Sequence, residues 1–177
     1  MSTSDVMNVA QRRLAEHAFD LKRKYGETYD MTKPQFLRLY DAGEIQLSSV
    51  FENLLVAARN GHGLLTERAS AAGYDFVKVD RRSKRTTPLG DMKTCTLGKD
   101  GIYRRFVVRN VYGKEGWIYV VGYNWLTDGF NYFAVPPEVK KPKSFMVIGV
   151  NRETGDVANG IYSSYECASF EDMIQHG

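Results

Sequence analysis

The sequence predicts an α+β protein in which helices come first and a mixed, mostly antiparallel sheet with flanking helices follows. Three observations predict it. Apolar residues recur at steps of three and four up to Gly73, and β-branched and aromatic residues dominate short runs from Tyr74 onward. Gly or Asp separates most of those runs. Helices, then hairpin-linked strands, then a closing helix make an α+β pattern, not one of alternating βαβ units.

The elements follow in order. Met7, Ala10, Leu14, Ala18, Leu21 and Tyr25 form one face of a first helix, with Ser4 able to cap its start and Gly26 to end it. A second helix runs from Thr32–Pro34 to Ala42, with Gly43 after it. A third carries Val50, Phe51, Leu54, Leu55 and Ala58 and stops at Asn60–Gly61. A short fourth is expected over 64–72, ending at Gly73. Strands are expected over 74–80, 91–97, 102–112, 117–124, 130–135 and 145–150, with Asp128–Gly129 as a hairpin signal. Ser169 and Asp172 sit at capping spacing and predict a last helix.

Composition narrows the class. With 177 residues, 43% hydrophobic and 25% charged, the chain can bury a core without a disulfide or metal staple. Cys95 and Cys167 are too few for a disulfide framework, so the expected setting is reduced and cytoplasmic. No apolar run approaches the roughly 20 residues of a membrane span. No hydrophobic signal region opens the chain, which reads as mature protein. The histidines, His17, His62 and His176, are scattered, and no glycine-rich phosphate loop is present. Trp117, Tyr119, Tyr123, Trp125, Tyr132 and Phe133 are expected in the sheet core before any role in base stacking.

The net charge is +3, but its distribution says more. Lys78, Arg81, Arg82, Lys84 and Arg85 crowd around Asp80. Lys140, Lys141 and Lys143 form a second group, and Arg104, Arg105 and Arg109 a third. A charge run is commonly just a solvated loop. Cations around a candidate catalytic acid also suit a phosphate backbone.

The most informative segment is Gly90-Asp91-Met92-Lys93-Thr94. On a strand, Asp91 and Lys93 point to one face roughly 6.6 Å apart, while Met92 points to the core. A carboxylate holds a hard cation through oxygen, and an ammonium beside it orients or deprotonates the attacking water. A second carboxylate is expected from Asp80, at the end of the preceding strand, with Asp75 as the rival acid at the strand's other end. A third is expected from Glu67, whose helical neighbours Gly63, Ser70 and Ala71 are small. Glu52 is the alternative, on the more apolar helix before it.

Helix with Glu67, strand to Asp80, then Asp91-x-Lys93: this succession resembles the core of the PD-(D/E)xK nuclease superfamily. That superfamily includes many type II restriction enzymes and some phage and intron-encoded homing endonucleases. The resemblance covers about residues 63–140, and Val79 stands where the superfamily often has Pro before its first acid. It implies a restriction-endonuclease-like core over 61–177, with the helical region 1–60 serving dimer assembly or DNA recognition. It also implies Mg²⁺-dependent hydrolysis of duplex DNA, Mn²⁺ being a possible substitute. In those roles Asp80, Asp91 and Glu67 hold the metal, Lys93 activates water, and Arg81, Arg82, Lys84, Arg85, Arg104 and Arg105 contact DNA. Cutting both strands requires two sites, hence a homodimer or larger oligomer. The alternative is a non-catalytic DNA-binding module on the same sheet.

Overall fold

A computed structural model describes residues 3–25, 31–69, 73–98 and 104–177, with side chains from residue 9 onward. The Gly26 cap and the start of the strand expected at 102 lie outside these residues. The helices are α1 (Thr3–Lys24), α2 (Lys33–Asp41), α3 (Leu47–Gly61) and a short α4 (Phe170–Ile174). The strands are β1 (Thr66–Arg68), β2 (Phe76–Val79), β3 (Thr86–Thr96), β4 (Arg105–Arg109), β5 (Trp117–Asn124), β6 (Gly129–Val135), β7 (Phe145–Gly149) and β8 (Glu166–Cys167). The molecule is α+β with a mixed, mostly antiparallel sheet.

Local chemistry explains the helix boundaries. Thr32 caps α2 through a capping box, its hydroxyl accepting from Gln35 N–H while the Gln35 side chain accepts from Thr32 N–H. Ser169 caps α4 by accepting from Asp172 N–H at 3.1 Å. The expected apolar faces are the buried ones: Ala10, Leu14, Ala18 and Leu21 on α1, and Val50, Phe51, Leu54, Leu55 and Ala58 on α3.

Six strands make one sheet in the order β1-β2-β3-β5-β6-β8, and β4 and β7 make a separate pair. All neighbours are antiparallel except β3 and β5, which run parallel with Gly90 opposite Trp117. The six-stranded sheet is covered on both faces. Tyr119, Val121 and Tyr123 pack with the helices, while Ile118 and Val120 pack with Phe106 and Val108 of β4 and Met146 and Ile148 of β7. This double burial is why β5 shows no polar alternation. Phe106 lies flat on Gly122, where an added Cβ would come within 2.6 Å of its ring.

Two expectations are overturned here. Within the segment expected as a helix over 64–72, Thr66–Arg68 form the strand β1, so Glu67 is not helical, and residues 70–72 lie outside the described residues. Residue 67 is exposed and pairs with Val77. Pairing with β2 and the two reciprocal hydrogen bonds between the Asn60 side chain and the Thr66 backbone outweigh the local helical preference. The strand expected to begin at Asp91 begins at Thr86 instead, because Pro88 and Gly90 are accommodated at a β-bulge. Phe76 pairs with Gly90 and Val77 with Pro88, leaving Leu89 as the extra residue. Leu89 and Met92, three apart, therefore both enter the helix-side core.

Candidate functional site

The bulge also aims the site. Past Gly90, β2 no longer pairs with β3, so from Asp91 onward β3 continues beyond the end of β2. That part of β3 lines a cleft of about 830 Å³, into which α3 contributes Glu52 and the residue before β2 contributes Asp75. β3 contributes Asp91 and Lys93, β4 contributes Arg105 and Arg109, and the loop before β5 contributes Lys114.

Asp75 is fixed by its backbone. Its N–H donates to Gly90 C=O at 2.8 Å, and its C=O accepts from Ala69 N–H at 2.7 Å. Asp91, at the next position of β3, is fully buried, and neither carboxylate oxygen makes a hydrogen bond of good geometry. Lys114 Nζ lies 3.2 Å from Asp91 Oδ1, within ion-pair reach but not aligned along a hydrogen bond. Burial first, and then the charge of Asp75, push the Asp91 carboxyl up to about 6, against the opposing pull of Lys114. Burial and Asp75 also raise Glu52, while Arg68 and Lys93 act the other way. Glu52 is ion-paired with Arg68.

Of the expected site residues, Asp91 and Lys93 line the cleft, and Glu67 and Asp80 do not. Asp80 sits at the far end of the β2–β3 hairpin, five positions along from Asp75, or roughly 16 Å at strand rise. Its Oδ1 accepts from Arg82 N–H at 3.0 Å, Ser83 N–H at 2.7 Å and the Ser83 hydroxyl at 3.0 Å. These bonds hold its carboxyl below the usual carboxylate range and make it the organiser of a turn. Asp75 was expected at the wrong end of its strand to meet Asp91. The longer β3 reverses that geometry, because in an antiparallel pair the start of β2 lies beside the interior of β3. Glu52 likewise takes the place expected for Glu67 as the acid nearest the pair.

The expected DNA-contacting cations divide. Arg81, Arg82, Lys84 and Arg85 are all exposed on the hairpin tip. Arg105 lines the cleft, and the Arg104 guanidinium sits 4.7 Å over the Trp125 ring. Lys114 is the residue that sequence reasoning missed. Its flanking Gly113 and Gly116 read as turn punctuation between strands, and only the parallel pairing of β3 and β5 brings that loop onto Asp91.

No group of three or more His, Cys, Asp or Glu side chains among the described residues is disposed to enclose a metal ion. The pair Asp75 and Asp91 is nevertheless a donor set of the kind Mg²⁺ uses. That ion is commonly held by one or two carboxylates, keeping several waters and taking substrate phosphate oxygens as well. The buried Asp91 carboxylate lacks a hydrogen bond of good geometry and already draws one cationic group, Lys114 at 3.2 Å, to its Oδ1. The Cys95 thiol, pushed up to about 12 by burial, is no nucleophile near neutral pH. No helix among the described residues is long and apolar enough to cross a membrane. No family model, no curated protein and no solved structure matches this chain.

Proposed function

We propose that the cleft hydrolyses phosphodiester bonds of duplex DNA with a divalent cation, Mg²⁺ or Mn²⁺, as the resemblance to PD-(D/E)xK nucleases implies. The observation that carries this reading is Asp91. It is a fully buried carboxylate with Asp75 beside it, Lys114 as an ion-pair partner at 3.2 Å and Lys93 two residues along the same strand, a setting in which negative charge is held only with cationic help.

In this reading Asp75 and Asp91 hold the cation, in place of the Asp80–Asp91 pair suggested by the sequence. When bound, the cation supplies positive charge against the charge that develops on the scissile phosphate. Lys93 would position the attacking water through its ammonium. Glu52, held by Arg68, keeps negative charge beside Asp75 and Lys93. Arg105 and Arg109 on β4 offer the opposite wall to the phosphate backbone. Cutting both strands of a duplex takes two such clefts, so the working unit is a symmetric oligomer, at least a dimer.

The test is nicking of supercoiled plasmid with Mg²⁺ or Mn²⁺, with EDTA and with Ca²⁺. The proposal expects cleavage with Mg²⁺ or Mn²⁺ alone. Lys93→Ala should keep DNA binding within a few fold and lose at least about a hundredfold in cleavage. Full cleavage in excess EDTA would overturn the metal mechanism. DNA binding without cleavage under any metal would favour a non-catalytic binding module.

A further inference from the structure

Resting on that reading of the cleft, we infer that Lys114 is a tethered counter-ion that occupies the cation-holding face of Asp91 and leaves it when a divalent cation arrives. Asp91 is fully buried, Asp75 lies beside it, and Lys114 Nζ stands 3.2 Å from its Oδ1. The ammonium therefore stands where a cation drawn to Asp91 would stand.

The loop that carries Lys114 is pinned on both sides, so the side chain moves and the backbone does not. Lys114 N–H donates to Val111 C=O at 3.2 Å, and Glu115 N–H donates to Gly73 C=O at 3.0 Å, two residues before Asp75. Gly116, at φ +90°, lies so close to β3 that an added Cβ would meet Leu89 O at 2.3 Å. Gly90, at φ +156°, leaves only 2.0 Å between such an atom and Trp117 O. Only glycine permits both approaches. The loop is thus registered against the very strand that carries Asp91.

The Lys114 side chain itself is loosely held. It keeps 26% of its surface exposed, and its ammonium is not aligned in a hydrogen bond with Asp91. Its four-carbon stem can swing the charge into the cleft. The groups lining the cleft are three carboxylates, Glu52, Asp75 and Asp91, and four cations, Lys93, Lys114, Arg105 and Arg109. A dication beside Asp91 with Lys114 still in place would face a like charge at contact distance, a repulsion strong enough to change affinity by at least about tenfold. Displacement therefore accompanies binding, and the freed ammonium remains in a cleft already lined by Arg105 and Arg109.

The experiment measures Mn²⁺ binding to the full chain by calorimetry, without DNA, for the parent, Lys114→Met, Lys114→Gln and Asp91→Asn. It also measures the melting temperature of each with EDTA and with Mn²⁺. Lys114→Met should bind Mn²⁺ at least about tenfold more tightly than the parent. It should melt lower than the parent in EDTA and gain more from Mn²⁺ than the parent gains. If Lys114→Met fails to fold in EDTA, Lys114→Gln carries the same comparison. Parent binding that Asp91→Asn abolishes, together with equal or weaker binding by the Lys114 variants, overturns the counter-ion role and leaves the metal reading standing. Absence of Mn²⁺ binding in every chain overturns the metal reading and this inference with it.

Discussion

Replacing Asp91 with Asn should stabilise the protein at neutral pH while it removes the proposed activity. The carboxyl is raised from 3.8 to about 6 by burial and by Asp75, net of the help it receives from Lys114. A shift of about two units is worth about 3 kcal/mol between the charged and neutral forms. Between about pH 4 and pH 6 the folded chain keeps a proton that the unfolded chain has lost. Parent stability from this group therefore falls as pH rises through that window and stays low above it. Asn mimics the neutral form and never incurs that loss. Lys114 loses its partner in the variant, and with only 26% of its side chain exposed that loss offsets part of the gain. The expected gain is about 1–3 kcal/mol at pH 8, shrinking to nothing below about pH 4. Urea unfolding in EDTA, followed by the fluorescence of Trp117 and Trp125, measures it at both pH values. An Asn variant less stable than the parent at pH 8 would show that the Asp91–Lys114 pair is a net asset to the fold. A gain independent of pH would show that the carboxyl is not raised at all.

Other outcomes follow from the same geometry. Asp75→Asn should cut the rate of Mg²⁺-dependent plasmid cleavage by at least about a hundredfold, whereas Asp80→Ala should leave that rate unchanged and only lower the melting temperature slightly as the hairpin turn loosens. The reverse pattern would return the site to the hairpin tip. Replacing Arg81 and Arg82 together with Ala should weaken binding to all DNA sequences alike. In a binding titration across salt concentrations, the log–log slope should flatten by about one unit per lost phosphate contact. Gly116→Ala, which sets a Cβ against Leu89 O at positive φ, should destabilise the fold and weaken Mn²⁺ binding together, as read by urea unfolding and calorimetry.

Much of the fold was readable because its signals are local. The helical faces of α1 and α3, the cap at Ser169 and the aromatic run of β5 each lie within one element. The side-by-side placement of Asp91 and Lys93 was readable for the same reason, since it needs only the period of a strand. The rest of the site depends on which strand end meets which, and that is set by pairing. Pro88 and Gly90 masked the first half of β3, which hid the bulge and so exchanged Asp75 for Asp80. Glu67 was taken for helical because residues 64–72 are locally good helix formers, and β2 decides otherwise. Lys114 could not be found from sequence, because nothing in residues 111–116 signals that β5 returns parallel to β3.

The parallel pairing of β3 with β5 also sets an order of assembly. The β2–β3 hairpin closes a short loop and can form early, whereas pairing Gly90 with Trp117 must first bring distant segments together. Asp75 and Asp91 are thus brought together before Lys114 arrives. Their mutual repulsion bears on the barrier to folding, and the answering charge enters afterwards. Neutralising either acid should speed refolding, while removing the lysine should chiefly speed unfolding. The acid pair and its counter-ion, adjacent in space, belong to different moments of the chain's history.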